Sequence, residues 1–363
     1  MRKARTQGHI FSDQLLQWHY QVNKRQMPWK GEKDPYKVWL SEIILQQTRV
    51  AQGLPYYLKF IETYPTIKSL AGANDDDVFK LWEGLGYYSR CRNLLAGARQ
   101  VMEDFEGVFP STHENILAIK GVGPYTAAAV ASFAFNLPFA VVDGNVTRLL
   151  SRYFGIYTPF DTTPGKVQFA ALAQQLLKTT APAAFNQAIM DFGASVCTPA
   201  EPLCIQCVFK QQCVAFNTNA TKDLPVRSKK LVKKKRWLTY FVITSNNKVL
   251  VRQRNEKDIW QSLYEFYLVE KEADLEWSSD QLMNSLDAFT NAEVTITGHS
   301  DIYKQQLSHQ TIYARFFEVN ALHQVNAPAG YQWVSSKEQN KLAFPRIINS
   351  YLSNKEMRPL LLF

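Results

Sequence analysis

Cys197, Cys204, Cys207 and Cys213 stand at C-x6-C-x2-C-x5-C, four thiols in one short stretch that can close around a single metal centre. Thiolates hold both zinc and four-iron four-sulfur clusters. Zinc ribbons usually present two short-spaced pairs. Here Cys204 and Cys207 form one pair and the outer two stand apart, so the spacing leans to the cluster and leaves zinc open. Cys91 lies alone in a helix-like segment and reads as packed. A second chemistry rests on two carboxylates. Glu42 shares a helix face with Val38, Trp39 and Leu45, where partial desolvation raises a carboxyl pKa and keeps a proton available near neutrality. Asp143 follows an apolar run and precedes the helix-like stretch from Val146 to Tyr153, the position of an N-cap.

A third pattern lies between them. Ile116 to Ile119, then Lys120-Gly121-Val122-Gly123-Pro124-Tyr125-Thr126, then Ala127 to Ala131, reads as helix, tight glycine turn, helix, over about 116–131. The glycines permit the turn, Pro124 suits the first turn of the second helix, and the alanines allow close helix approach. Backbone N–H groups at that helix start, with Gly121 and Gly123 beside them, suit a phosphate and read no sequence.

The elements that must carry these groups change character along the chain. From about Phe11 to Ala215 apolar residues recur at helical spacing, as in Val38, Trp39, Ile43 and Leu45 and again in Val142, Val146, Leu149 and Leu150, which predicts an all-α domain over 1–221. Residues 222–236 hold eight Lys or Arg against one Asp, within a chain of 363 residues and formal charge +9, and read as a basic linker suited to a polyanion. After it come short β-rich runs at Trp237–Thr244, Lys248–Arg254, Glu293–Thr297 and Thr311–Val319, with a helix-like stretch near Asp280–Leu286, which predicts an α/β domain over 237–363. No apolar run approaches the roughly 18 residues of a membrane span. Clustered cysteines without a secretory segment predict a soluble, cytoplasmic protein.

The hairpin precedes the cysteines, and Val141-Val142-Asp143-Gly144-Asn145-Val146 lies between them. This order resembles the endonuclease III superfamily of helix-hairpin-helix DNA glycosylases. More closely, Pro35-Tyr36-Lys37-Val38-Trp39-Leu40-Ser41-Glu42-Ile43-Ile44-Leu45-Gln46-Gln47-Thr48 and Gly84-Leu85-Gly86-Tyr87-Tyr88-Ser89-Arg90 resemble the MutY family of adenine DNA glycosylases. The resemblance implies base-excision repair: hydrolysis of the N-glycosidic bond of adenine mispaired with 8-oxoguanine or guanine in duplex DNA. It implies Glu42 as the acid that protonates the leaving purine, Asp143 as the carboxylate that stabilises the cationic sugar, and Asn145 and Tyr125 as their helpers. It turns the cysteine set into a 4Fe-4S cluster loop over 197–213. Bifunctional relatives carry a Schiff-base lysine where this chain has Tyr125, which implies a monofunctional enzyme that leaves an abasic site; Lys120 sits on the other side of the turn. Gln47, Thr48, Leu85 and Tyr87 match positions that wedge into the duplex when the base is flipped out, and Lys120, Gly121 and Gly123 belong to the DNA-binding hairpin. A monomer is implied.

The second domain resembles the Nudix fold, with Val249 to Arg254 and Leu263 to Phe266 as core strands, used in the family to inspect 8-oxoguanine. The acidic metal-binding run of a working Nudix hydrolase is not visible after Phe266. The family's lesion-reading Phe-Ser-His is here Leu307-Ser308-His309, so the aromatic is replaced. Three other readings compete. Tyr125 and the extra domain oppose a pyrimidine-lesion glycosylase with lyase activity, the pair Glu42 and Asp143 opposes a sensor that only binds, and the missing acidic run opposes a nucleotide hydrolase.

Overall fold

The computed structural model describes residues 2–228, 233–271, 276–323 and 326–357. The chain divides into two compact units, one of residues 1–72 and 93–230, the other of 73–92 and 231–363. Residues 73–92 thus depart from the continuous helical domain that the sequence predicts over 1–221.

The first unit is helical, as expected, with α1 (Arg2–Gln21), α2 (Pro35–Leu45), α3 (Val50–Thr63) and α4 (Ile67–Ala71) preceding the excursion of the chain into the second unit. That excursion carries α5 (Asp75–Trp82) and the start of α6 (Ser89–Asp104). Then come α7 (His113–Leu117), α8 (Pro124–Phe135), α9 (Gly144–Phe154), α10 (Thr163–Leu176), α11 (Pro182–Ser195) and α12 (Val214–Asn217). Phe11, Leu15 and Trp18 of α1 meet Leu149, Leu150 and Tyr153 of α9, Phe169 of α10 and Phe185, Ile189 and Phe192 of α11 in one core, with Phe209 of the cysteine loop in the same cluster. Side-chain caps set several helix starts: Asp34 accepts from Tyr36 N, and Asp143 from Val146 N.

The second unit is built on a mixed sheet of β1 (Lys234–Ser245), β2 (Lys248–Gln253), β3 (Tyr264–Glu265), β4 (Tyr267–Lys271), β5 (Val294–His299), β6 (Tyr303–Gln306), β7 (Gln310–Ala321) and β8 (Tyr331–Ser335), eight strands among the described residues. With it go α13 (Ser279–Asn284), α14 (Ser336–Gln339) and α15 (Arg346–Met357). β1 runs parallel to β7, from Lys234 opposite Gln310 to Thr244 opposite Asn320, and antiparallel to β4. Leu238 to Ile243 are all buried, because the strand is covered on both faces: Phe241 and Ile243 pack on Leu286 and Phe289, and Tyr240 stacks on Phe316.

The basic linker ends before the predicted Arg236. Lys234, Lys235 and Arg236 are the first residues of β1 rather than linker, because β7 offers them a partner strand. Arg236 is held by Asp258 and Glu270, and Arg227 lies near Asp161. Lys229 and Lys230 lie outside the described residues. The 73–92 segment is fastened within its unit by polar contacts: Tyr264 donates to Asp76, Lys80 donates to the Leu342 carbonyl, and Phe344 N donates to Glu83. Among the described residues no helix is long and apolar enough to cross a membrane.

Candidate active site and cysteine loop

Glu42 lies in α2, a helix buried almost all round from Tyr36 to Ile44, and is itself only 6% exposed. The Tyr125 hydroxyl donates to Glu42 Oε2 at 2.8 Å. Burial pushes the Glu42 carboxyl up to about 7, the Tyr125 hydrogen bond opposes that rise, and the charge of Asp143 adds to it. Burial also raises Tyr125 well above the usual phenol range. Asp143 is the N-cap of α9, accepting from Val146 N at 2.7 Å through one oxygen and from Asn145 Nδ2 at 2.7 Å through the other. Its carboxyl is raised by burial, while those bonds and the nearby Arg148 pull it back. The cap and the candidate catalytic carboxylate are therefore one residue. All four side chains line a single cavity of about 350 Å³, together with Trp29, Lys30, Leu45 and Met190. A buried acid and a hydrogen-bonded carboxylate lining one cavity can protonate a leaving group and stabilise a cation beside it.

Sequence reasoning missed the residues behind this site. Arg148, buried on α9, donates to Asn145 Oδ1 at 2.9 Å and to the carbonyls of Gly193 at 2.6 Å and Cys197 at 2.7 Å. Arg152, one turn on, donates to Thr198 and Pro199 carbonyls and approaches Cys197 Sγ at 3.5 Å. The signal was present as two arginines at i,i+4 on a helix otherwise rich in buried residues. Asp191 on α11, fully buried, ties down Asn23 at 2.8 Å, Arg25 at 2.8 Å and Lys30 at 3.1 Å, fixing the irregular segment that walls the cavity. Nothing in the spacing of that segment announces it.

The hairpin forms as α7, turn, α8. Gly121 has φ +78°, and a Cβ there would meet the Asn93 Cβ at 2.4 Å, so conformation and space both require glycine. Gly123 has an ordinary φ of −98° and caps α8 without a side-chain bond, with Pro124 next. Lys120 N donates to Gln100 Oε1. Gln47, exposed and with φ +56°, and Thr48 come just after Gln46, the C-cap of α2.

In the second unit Leu85 is 5% exposed and Tyr87 40%, so of this pair Tyr87 is the ring presented outward and Leu85 packs. Leu307, Ser308 and His309 form the tight connection from β6 to β7, closed by Leu307 N on the Gln310 carbonyl. Ser308 Oγ receives the Tyr87 hydroxyl at 3.0 Å and lies 3.2 Å from His309 Nδ1.

Cys197 follows α11, Cys204 and Cys207 bracket one 3-10 turn, and Cys213 caps α12. All four are free of disulfides. The Cys207 thiol is pushed up to about 12, by burial first and then by the charges of Cys197, Cys213 and Cys204 around it. Four thiols from one loop, with no disulfide to pair them, make a soft donor set of the chemistry that a metal centre takes. The set is not drawn tight: among the described residues no three His, Cys, Asp or Glu converge closely enough to hold a metal ion. Cys91 is buried, as expected.

Residues 40–177 match the family model described as HhH-GPD superfamily base excision DNA repair protein, and residues 239–354 match a NUDIX domain model. An adenine DNA glycosylase of Buchnera aphidicola subsp. Acyrthosiphon pisum is 34% identical over 279 residues, which is 76% of this chain and 79% of that protein. The adenine DNA glycosylase of Homo sapiens is 44% identical over 214 residues, 56% of this chain and 39% of the other. Among solved structures, a thermostable thymine-DNA glycosylase aligns at TM-score 0.55 and 29% identity, covering 59% of this chain and 99% of that one. A trapped endonuclease III–DNA covalent intermediate aligns at TM-score 0.52 and 17% identity, over 59% of this chain and 98% of that one, a likeness of fold.

Proposed function

From the premise that the chain belongs to the adenine DNA glycosylase family, we propose that it removes adenine mispaired with 8-oxoguanine or guanine in duplex DNA and leaves an abasic site. It is a DNA glycosylase of base-excision repair, a hydrolase, and duplex DNA is its substrate. The observation that carries the finer reading is the buried Glu42, hydrogen-bonded to Tyr125 in the cavity that also holds Asp143.

Glu42, protonated near neutrality, gives its proton to the departing purine and so turns a poor anionic leaving group into a neutral one. Asp143, held by Val146 N and Asn145, stabilises the positive charge that grows on the sugar. Water then completes the hydrolysis. Tyr125 cannot form an imine, which supports a monofunctional reaction. Gly121, Gly123 and Lys120 bind a phosphate of the backbone; Gln47 and Thr48 of the first unit are candidates to enter the opened duplex, as is Tyr87 of the second, while Leu85 is buried. Ser308 and His309 hydrogen-bond the oxidised base, Leu307 supporting their turn without an aromatic contact. The second unit reads the lesion and does not hydrolyse pyrophosphate. Cys197, Cys204, Cys207 and Cys213 would hold a 4Fe-4S cluster, whose iron would bind four thiolates and close their loop. The protein acts as a monomer in the cytoplasm.

The test is release of free adenine from a duplex with adenine opposite 8-oxoguanine, compared between the protein and Glu42→Gln, with strand breakage scored before and after alkali. Release that requires Glu42, with breakage only after alkali, is expected. Breakage without alkali, or a borohydride-trapped adduct in stoichiometric yield, would sink the monofunctional assignment.

A further inference from the structure

Three of the four residues from Gly84 to Tyr87 have positive φ: Gly84 at +95°, Gly86 at +75° and Tyr87 at +48°. Glycine adopts such angles freely, but for tyrosine the left-handed region is sterically disfavoured by its Cβ. A residue in this state must be held by its surroundings. Tyr87 is nonetheless 40% exposed, so packing around the ring is incomplete.

The support comes from below. Arg90 is 7% exposed, and its guanidinium lies over the Trp82 ring at 5.1 Å and over the Tyr87 ring at 5.7 Å. The same guanidinium donates to the Gly86 carbonyl at 3.2 Å, a carbonyl that also accepts from Trp82 Nε1 at 3.1 Å. Arg90 N donates to the Tyr87 carbonyl at 2.9 Å. One side chain thus fixes the peptide before the tyrosine and a face of its ring. A planar guanidinium can lie along the ring while its edge donates to the carbonyl, whereas a lysine ammonium is a point charge that cannot stack. Burial lowers the Arg90 pKa to about 10, which leaves it charged at neutral pH.

We propose that Arg90 is the positioning residue of this turn, holding the Tyr87 ring preformed so that its uncovered face stacks on a base of the opened duplex. The inference rests on the reading of Tyr87 as a wedge. Preorganisation removes ordering cost from binding, and a cation on one face leaves the other for the base.

The test is a double-mutant cycle on binding, using a duplex with uncleavable 2′-fluoro-deoxyadenosine opposite 8-oxoguanine and 2-aminopurine beside the lesion. Arg90→Met and Arg90→Lys should each weaken binding roughly tenfold, the scale of a desolvated cation–π contact, and should lose the 2-aminopurine fluorescence change seen with the unaltered protein. In a Tyr87→Ala background the same Arg90 substitutions should add nothing. Trp82→Phe, which removes one of the two bonds to the Gly86 carbonyl and keeps a ring under Arg90, gives a smaller loss of the same kind and serves if Arg90→Met does not fold. Equal losses with and without Tyr87 would overturn the inference and leave the wedge reading standing. Unimpaired binding and fluorescence in Tyr87→Ala alone would overturn the wedge reading, and this inference with it.

Discussion

Glu42 is costly where it stands. A carboxyl raised to about 7 by burial is one whose ionised form the fold disfavours. The sign follows from linkage: between the ordinary carboxyl range and about 7 the folded state binds the proton more tightly than the unfolded one, so stability falls as pH rises through that window. Glu42→Gln removes the penalty and keeps the shape. Its melting temperature should exceed that of the unaltered protein at pH 8, by an amount on the order of a few kcal/mol in stability, and the gain should shrink toward pH 5, as thermal melts across this range would show. A gain unchanged with pH would mean that Glu42 does not titrate within the window. The sequence made the carboxyl's apolar surroundings legible through Val38 and Trp39. It could not show Tyr125 reaching Oε2, because that contact joins α2 to α8 across eighty-three positions.

α9 is the element on which the site depends most. Its N-cap is Asp143, its first turn carries Asn145, and Arg148 ties Asn145 to the Cys197 and Gly193 carbonyls. The cap, the helix start and the hairpin were legible in the sequence, because capping residues, Pro124 and Gly121 act locally. The arginine ties were not, since apart from Asn145 Oδ1 their acceptors are mostly backbone carbonyls, which carry no side-chain signature. Arg148→Lys keeps the charge and loses the fork that joins Asn145 to the Gly193 and Cys197 carbonyls. Misplacement of a catalytic group by about 1 Å can lower a rate about a hundredfold, so single-turnover release should fall by about ten- to a hundredfold while DNA binding, measured separately, changes little. A loss confined to binding would show that Arg148 does not position Asn145.

At the scale of the whole molecule, the helical and α/β halves were legible from the change of period near Trp237, and the match to two family models follows the same division. The excursion of 73–92 into the second unit was not, because α5 has the helical pattern of its sequence neighbours and its polar partners, Tyr264, Leu342 and Phe344, lie far along the chain. A chain ending at Lys230 should therefore leave Asp76, Lys80 and Glu83 without these partners. Limited proteolysis is expected to cut it between Ala73 and Arg92 well before the full chain is cut there; equal resistance would show that this segment folds without the sheet.

The most direct measurement of the central claim is the pH dependence of single-turnover adenine release, in the unaltered protein and in Tyr125→Phe. If buried Glu42 supplies the proton, the rate should fall as pH rises, with an apparent pKa near the value of about 7 that burial imposes. Removing the Tyr125 hydrogen bond, which favours the ionised form, should move that fall to higher pH. A rate flat across this range, or a limb that moves to lower pH in Tyr125→Phe, would contradict Glu42 as the acid.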